Sequence, residues 1–490
     1  MNTAAFFKRT FLFSVMAAAA FLRQGARTAC LGAAAEEPPS VTLSADFSQT
    51  IGQIKPVNGT NLGPRLVTSR YNEQQKLFNG AHFGLVRLHD APWDNPTLRL
   101  VDVHYIFGNM NDDPADPANY YFDATDDYIK SILDGGAPIM YRLGVSIEHS
   151  APNTYFAKEP KDYEKMAEIF AGIVRHYNEG WAEGFHYGIE YWEIWNEPDM
   201  VPLMWDNPDF TSYCRFYAAA AKRLKREFPR IKVGGPALAG CNEARLAQFI
   251  DYCRQEGAPL DFCSWHTYPK SFRELVDAPA VVRRLLDERG FAGTELHLDE
   301  WHYFNCSWDT IMGYEGGREL RRETAWGDSG INGADAAAFI GCVLTYWQDT
   351  PIDSANYYCT ALMEDEWGLI DSTGYPFKTY YVFKGFGEMT AQTPSRAVCG
   401  KAPENYAILA GQGENGAGRL MVSSFQEKTP SLRVRVSGVP ESGTVRVKTI
   451  GEGKQIEPAE SELPYSGGIL DLGTISGSTV KFIEFAPEPR

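Results

Sequence analysis

The sequence predicts an α/β protein: a (β/α)8 TIM barrel followed by a C-terminal all-β sandwich module. Three observations carry that prediction. Short apolar strands ending in polar or aromatic residues alternate with amphipathic helices through eight units over about 340 residues. No Gly-x-Gly-x-x-Gly follows an early strand, which disfavours a doubly wound open sheet. After Thr393 the texture changes to short alternating strands parted by Gly, Pro, Ser and Asn turns, as in a sandwich.

Taken in order, residues 41–47 alternate as a short strand expected to join the terminal β module. The barrel is expected over 50–391 and the sandwich over 392–490. Barrel strands are expected near 55–61, 83–89, 138–143, 191–195, 232–236, 261–268, 295–302 and 354–359. Helices are expected near 69–79, 123–133, 160–177, 210–228, 243–254, 272–289, 334–347 and 377–389. The helix after strand four has the plainest pattern: Phe210, Tyr213, Tyr217, Ala220, Leu224 and Phe228 recur at three- and four-residue steps with Lys and Arg between them. The module strands are read at 407–410, 419–424, 431–436, 444–449 and 480–485.

Composition narrows the class. With 44% apolar residues the chain can bury a sizeable core, and a net charge of −17 argues against a nucleic-acid partner or an anionic membrane surface. Residues 1–35 read as an export signal: Lys8-Arg9, then the apolar run 11–22, then Ala33-Ala34-Ala35. No run reaches the ~18 apolar residues of a membrane span. Thr28-Ala29-Cys30 loosely resembles a lipoprotein site, but Arg27 stands where an aliphatic residue is wanted, so a lipid anchor is the lesser expectation. Eight cysteines follow the signal without a Cys-x-x-Cys pair, so no metal ribbon is expected and their pairing is left open.

A barrel site is built at the carboxyl ends of its strands, so strand-end residues form a roster before any chemistry is assumed. Strand two supplies Arg87, His89 and Asp90, and strand three supplies Glu148 and His149. Asn196 and Glu197 end strand four, where Pro198 stops the run. Strand six supplies Trp265, His266 and Tyr268, and strand seven supplies Asp299, Glu300 and Trp301. Glu193 is expected lower in the barrel as a structural residue, and Asp299, adjacent to Glu300, is expected to face away. Trp265 and Trp301 are candidates for stacking on sugar rings. Glu197 and Glu300 stand about three strand–helix units apart, hence across the barrel mouth. Two such carboxylates without a metal cluster or cofactor motif point to glycoside hydrolysis; about 5 Å between them would make it retaining.

Several stretches carry a resemblance: Val86-Arg87-Leu88-His89-Asp90, Trp192-Glu193-Ile194-Trp195-Asn196-Glu197-Pro198, Ser264-Trp265-His266-Thr267-Tyr268, Leu298-Asp299-Glu300-Trp301 and Trp367-Gly368-Leu369-Ile370-Asp371. They resemble the clan A glycoside hydrolases and are most similar to family 39, which includes β-xylosidases and α-L-iduronidases. The resemblance implies Glu197 as acid/base and Glu300 as nucleophile. It also implies Asn196 on the sugar 2-hydroxyl, Tyr268 positioning Glu300, and Arg87 keeping Glu300 ionised. Together with the export signal, it points to an exported, exo-acting, β-xylosidase-like enzyme. The loops 109–120 and 303–323 have no counterpart in the family pattern, so arabinose- and uronic-acid-directed action, transglycosylation and a catalytically dead sugar-binding barrel stand as alternatives.

Overall fold

A computed structural model describes residues 40–64, 72–89, 100–146, 157–269, 271–307, 310, 318–361, 368–371, 374–414 and 416–486. The expected export signal, Asp90, Glu148, His149 and Trp367 lie outside the described residues. Eight parallel strands close into a barrel: β2 (Gly59–Asn61), β3 (Val86–Leu88), β4 (Ile139–Leu143), β5 (Tyr191–Ile194), β6 (Lys232–Leu238), β7 (Phe262–Thr267), β8 (Glu295–Trp301) and β9 (Ser354–Tyr357). The predicted barrel is thus present strand for strand.

The helices between them follow the sequence pattern because their ends are specified. Asp162 accepts a hydrogen bond from the Lys165 amide at 3.0 Å to open the helix Tyr163–Glu179, and Gly180, at φ 74°, ends it in the left-handed conformation. Asp209 and Asn242 cap the helices Phe210–Glu227 and Glu243–Glu256 in the same way. The apolar face predicted for Phe210–Glu227 is buried, with Phe210, Tyr213, Tyr217, Ala220 and Leu224 all in the main core. Among the described residues, no helix is long and apolar enough to cross a membrane.

The remaining strands form one nine-stranded sheet. β1 (Val41–Gln53) lies third from one edge, antiparallel to β10 (Ser395–Cys399) and parallel to β13 (Leu432–Ser437). The others are β11 (Tyr406–Gln412), β12 (Gly418–Ser424), β14 (Gly443–Ile450), β15 (Ala459–Tyr465), β16 (Ile469–Asp471) and β17 (Thr479–Phe485). β13 and β14 stand toward opposite ends of the strand order, yet Val434, Val436, Val445 and Val447 share one core with Leu43 and Phe47. The sheet therefore folds over itself as a sandwich.

Strand alternation also joins this sandwich to the barrel. Ile408 and Ala410 face the sandwich core, whereas Ala407 and Leu409 belong to the barrel's core; Leu420 and Val422 part from Met421 in the same manner. The helix Ala334–Tyr346 meets that outer face, and its small residues allow close approach. A Cβ on Gly341 would stand 2.1 Å from Ser423 Oγ. Gly341→Val should therefore destabilise the protein by about 1–3 kcal/mol through overpacking, read as a lower midpoint in chemical denaturation.

Candidate active site

The site is built on Arg87, the middle residue of β3, whose guanidinium is wholly buried. Each side of it is engaged. Nε donates to Glu193 Oε2 at 2.6 Å, Nη1 donates to Asn61 Oδ1 at 3.1 Å and Glu300 Oε2 at 3.2 Å, and Nη2 donates to Asn196 Oδ1 at 2.6 Å. Asp299 Oδ2 lies 3.4 Å from Nε. Burial alone would discharge Arg87, but the charges of Glu193, Asp299 and Glu300 outweigh it and hold its pKa above the ordinary range. Glu193 also accepts from Ser264 Oγ at 2.6 Å. Although its burial acts in the opposite direction, the Arg87 charge and hydrogen bonds with Asp299, Ser264 and Arg87 bring Glu193 down to about 2. Asp299 goes the other way: burial and the neighbouring Glu193 charge raise it well above a normal carboxylate.

Above this floor stand two glutamates. Backbone geometry turns the chain sharply as β5 ends, since Trp195 (φ 74°) and Glu197 (φ 43°) are both left-handed, a conformation that costs a non-glycine residue energy. The turn is held by neighbours. The Glu197 amide donates to Ala237 O at 2.9 Å, Trp195 Nε1 donates to Met204 O at 2.7 Å, and the Ala239 amide donates to Asp199 Oδ1 at 3.0 Å. Asn196 and Glu197 are thereby both buried at the strand end, beside Arg87 and His266 respectively.

His266 links the pair. Its Nδ1 lies 2.8 Å from Glu197 Oε1 and 3.5 Å from Glu300 Oε2. Burial pushes this imidazole down to about 4, so at neutral pH it is uncharged and acts through hydrogen bonds. Tyr268 donates its hydroxyl to Glu300 Oε1. Oxygen atoms of Glu197 and Glu300 and a nitrogen of His266 lie within 4.8 Å of one another. Among the described residues these three could also offer ligand atoms to a single ion. Their carboxylates are, however, already engaged by His266, Tyr268 and Arg87, an arrangement suited to proton transfer and nucleophilic attack.

The structure brings Arg87, Asn196, Glu197, His266, Tyr268 and Glu300 together as the roster anticipated, and it places His89 at the end of β3 with its ring 6.3 Å from that of Tyr358. Four expectations need correction. Trp301 packs in the core against Trp347 and Tyr357, at ring distances of 4.9 and 5.0 Å, because it faces out from its strand toward the helices. Trp265 likewise faces outward and is fully buried in the core, since it alternates with the inward Ser264 and His266. Asp299 does not face away. Trp265 pairs with Leu298 but His266 pairs with Glu300, so Asp299 is the extra residue of a bulge, and successive acidic residues both turn inward. Finally, Glu300 is not held below the ordinary value of 4.5. Burial and the Glu197 charge raise it on balance, against the opposing pull of His266, Arg87 and Tyr268.

Sequence reasoning missed Asn61 and Ser264. Asn61 ends the first barrel strand and so met the strand-end criterion; its Nδ2 donates to Asp299 O at 2.9 Å. Ser264 lies two residues before His266, and strand parity alone puts both on one face.

Comparison with known proteins agrees with this geometry. The family model described as "Glycosyl hydrolases family 39" matches residues 73–302. A β-xylosidase of Geobacillus stearothermophilus is 26% identical over 264 residues, covering 47% of this chain and 47% of that protein. The chain thus spans about half the length of the relative it matches. A glucosidase from Croceicoccus marinus superposes with a TM-score of 0.71 at 23% identity, over 91% of this chain and 99% of that one. A monomeric β-xylosidase from Caulobacter crescentus gives 0.69 at 16% identity, over 91% and 100%. At these identities the two structures establish the fold.

Because Arg87 is the cation buried among these carboxylates, Arg87→Met should cost about 3–5 kcal/mol of stability, the usual effect of stripping one partner from a buried pair. Denaturant unfolding of the two proteins, followed by tryptophan fluorescence, measures it.

Proposed function

We propose that this chain, whose residues 73–302 belong to glycosyl hydrolase family 39, is a retaining glycoside hydrolase that releases xylose from β-xylosides. One observation carries the reading: carboxylate oxygens of Glu197 and Glu300 approach within 4.8 Å. Retaining glycosidases hold their carboxyl groups about 5–5.5 Å apart, whereas inverting ones leave room for a water at about 6.5–9.5 Å. The β-xyloside specificity and exo action rest on likeness to the Geobacillus β-xylosidase. Export rests on the charged, apolar and small-residue sequence of positions 1–35.

In the first step a Glu300 oxygen bonds the anomeric carbon while Glu197 gives its proton to the departing glycosidic oxygen. Tyr268 and Arg87 orient Glu300 by hydrogen bonds to its two oxygens. In the second step Glu197, now a carboxylate, takes a proton from the water that attacks the glycosyl–Glu300 ester, and the sugar leaves with its original configuration. Asn196 spends Oδ1 on Arg87 and has no partner for Nδ2 among the described residues, which leaves Nδ2 to a sugar hydroxyl in this reading. His89, just past β3, is proposed to contact another hydroxyl, and Asp90 and Glu148 are proposed to do so from their sequence positions alone.

Profiling on aryl glycosides of xylose, arabinose, glucose and uronic acids, and on xylo-oligosaccharides, tests the reading. Xylosides should be cleaved fastest, with β product first seen by NMR. Glu197→Gln and Glu300→Gln should each fold and lose at least about 1000-fold in kcat, since each removes a group bonded or proton-linked to the reacting centre. Full activity in either variant, or α product, would refute the assignment.

A further inference from the structure

His266 stands between Glu197 and Glu300 at the mouth, and a second connection runs beneath them through one hydroxyl group. Starting from Glu300, Arg87 Nη1 donates to its Oε2 at 3.2 Å, and Arg87 Nε donates to Glu193 Oε2 at 2.6 Å. The Ser264 hydroxyl donates to Glu193 Oε1 at 2.6 Å and accepts from the Ala237 amide at 3.0 Å. Ala237 O in turn accepts from the Glu197 amide at 2.9 Å. Ser264 and Ala237 are both wholly buried, and neither has a part in the proposed reaction.

The backbone around Ala237 gives that hydroxyl its importance. Pairing of β6 with β7 is interrupted between Gly235 and Leu238, and Ala237 (φ 51°) is left-handed. A non-glycine residue keeps that conformation only where its surroundings enforce it. Two side chains grip the segment: Ser264 at the Ala237 amide, and Asp199, whose Oδ1 accepts from the Ala239 amide at 3.0 Å. Whatever stands between Ala237 and Glu193 must accept from an amide and donate to a carboxylate at once, and a hydroxyl does both. An alanine there would strip a buried amide of its acceptor beside a strained residue.

We propose that Ser264 is a positioning residue for Glu197: by holding the Ala237 amide it fixes the carbonyl on which the Glu197 backbone is seated, and with it the placement of the acid/base carboxyl. The inference rests on the reading of Glu197 as acid/base, but the seat itself can be tested without turnover.

Hydrogen exchange of the full chain, read by mass spectrometry with fragmentation, should show the Glu197 amide exchanging at least about tenfold faster in Ser264→Ala than in the parent. On a xyloside with a poor leaving group, Ser264→Ala should lose about 10–100-fold in kcat/KM. With a dinitrophenyl leaving group, which needs no proton, the loss in kcat/KM should stay within about threefold. Azide, which attacks the glycosyl–Glu300 ester without a base, should then raise kcat. Asp199→Asn, whose side-chain oxygen still accepts, should remain within about threefold of the parent on both substrates, whereas Asp199→Ala should repeat the Ser264→Ala pattern. Unchanged exchange at Glu197 overturns the proposal. So do equal losses on the two xylosides at unchanged circular dichroism, since the hydroxyl would then serve Glu193 and the nucleophile instead. If Ser264→Ala does not fold, the Asp199 pair decides, and equal exchange and activity in its two variants overturn the proposal. If the parent cleaves no glycoside, it is the reading of Glu197 that fails, and the exchange result still decides the role of Ser264.

Discussion

The Arg87 guanidinium is the interaction on which the rest of the site depends. It is wholly buried and hydrogen-bonded to four side chains from three different strands: Asn61 on β2, Glu193 on β5, Asn196 just past β5, and Glu300 on β8. A cation in that position is tolerable only because it is surrounded by carboxylates, and the carboxylates are tolerable only because of the cation. This mutual requirement fixes the heights of the strand ends relative to one another. It also sets a limit, because one positive charge cannot ionise every acid around it. Glu193 takes the charge, Asp299 sheds it, and Glu300 lies between, raised by burial and by Glu197.

Much of this was legible in the sequence, for local reasons. Strand–helix alternation gives the barrel, and Pro198 ends a strand wherever it occurs, so Asn196-Glu197 had to lie at the mouth. Parity within a strand separates Ser264 and His266 from Trp265, and the same rule, applied strictly, would have put Trp265 in the core. The position of Asp299 was not legible. Its inward orientation comes from a slip in pairing between β7 and β8, and register belongs to two strands rather than to one. The raised Glu300 was hidden for a related cause: sequence shows that a cation is near but not how many carboxyls share it.

The β module shows the same division. Its central strands announce themselves by alternation, whereas β15 was missed because its residues 459–465 are mostly exposed, with Glu460 and Glu462 on a sheet edge. Charged residues there protect the edge from pairing with another chain. β1 is the more consequential strand, since it precedes the barrel in the chain and pairs between β10 and β13 on the far side of it. Together with the close packing of the helix Ala334–Tyr346, it makes barrel and sandwich one compact unit. The two glutamates thus project from a barrel braced at both of its chain ends.

The central claim is that Glu300 forms a covalent bond to the sugar. Incubation with a 2-deoxy-2-fluoro-β-xyloside carrying an activated leaving group slows breakdown of such an intermediate, and peptide mass spectrometry then locates the label. The account predicts one fluoroxylosyl group per chain, on the Glu300 side chain. A label on Asp299 or Glu197, or steady turnover of the xyloside without any covalent adduct, would contradict it.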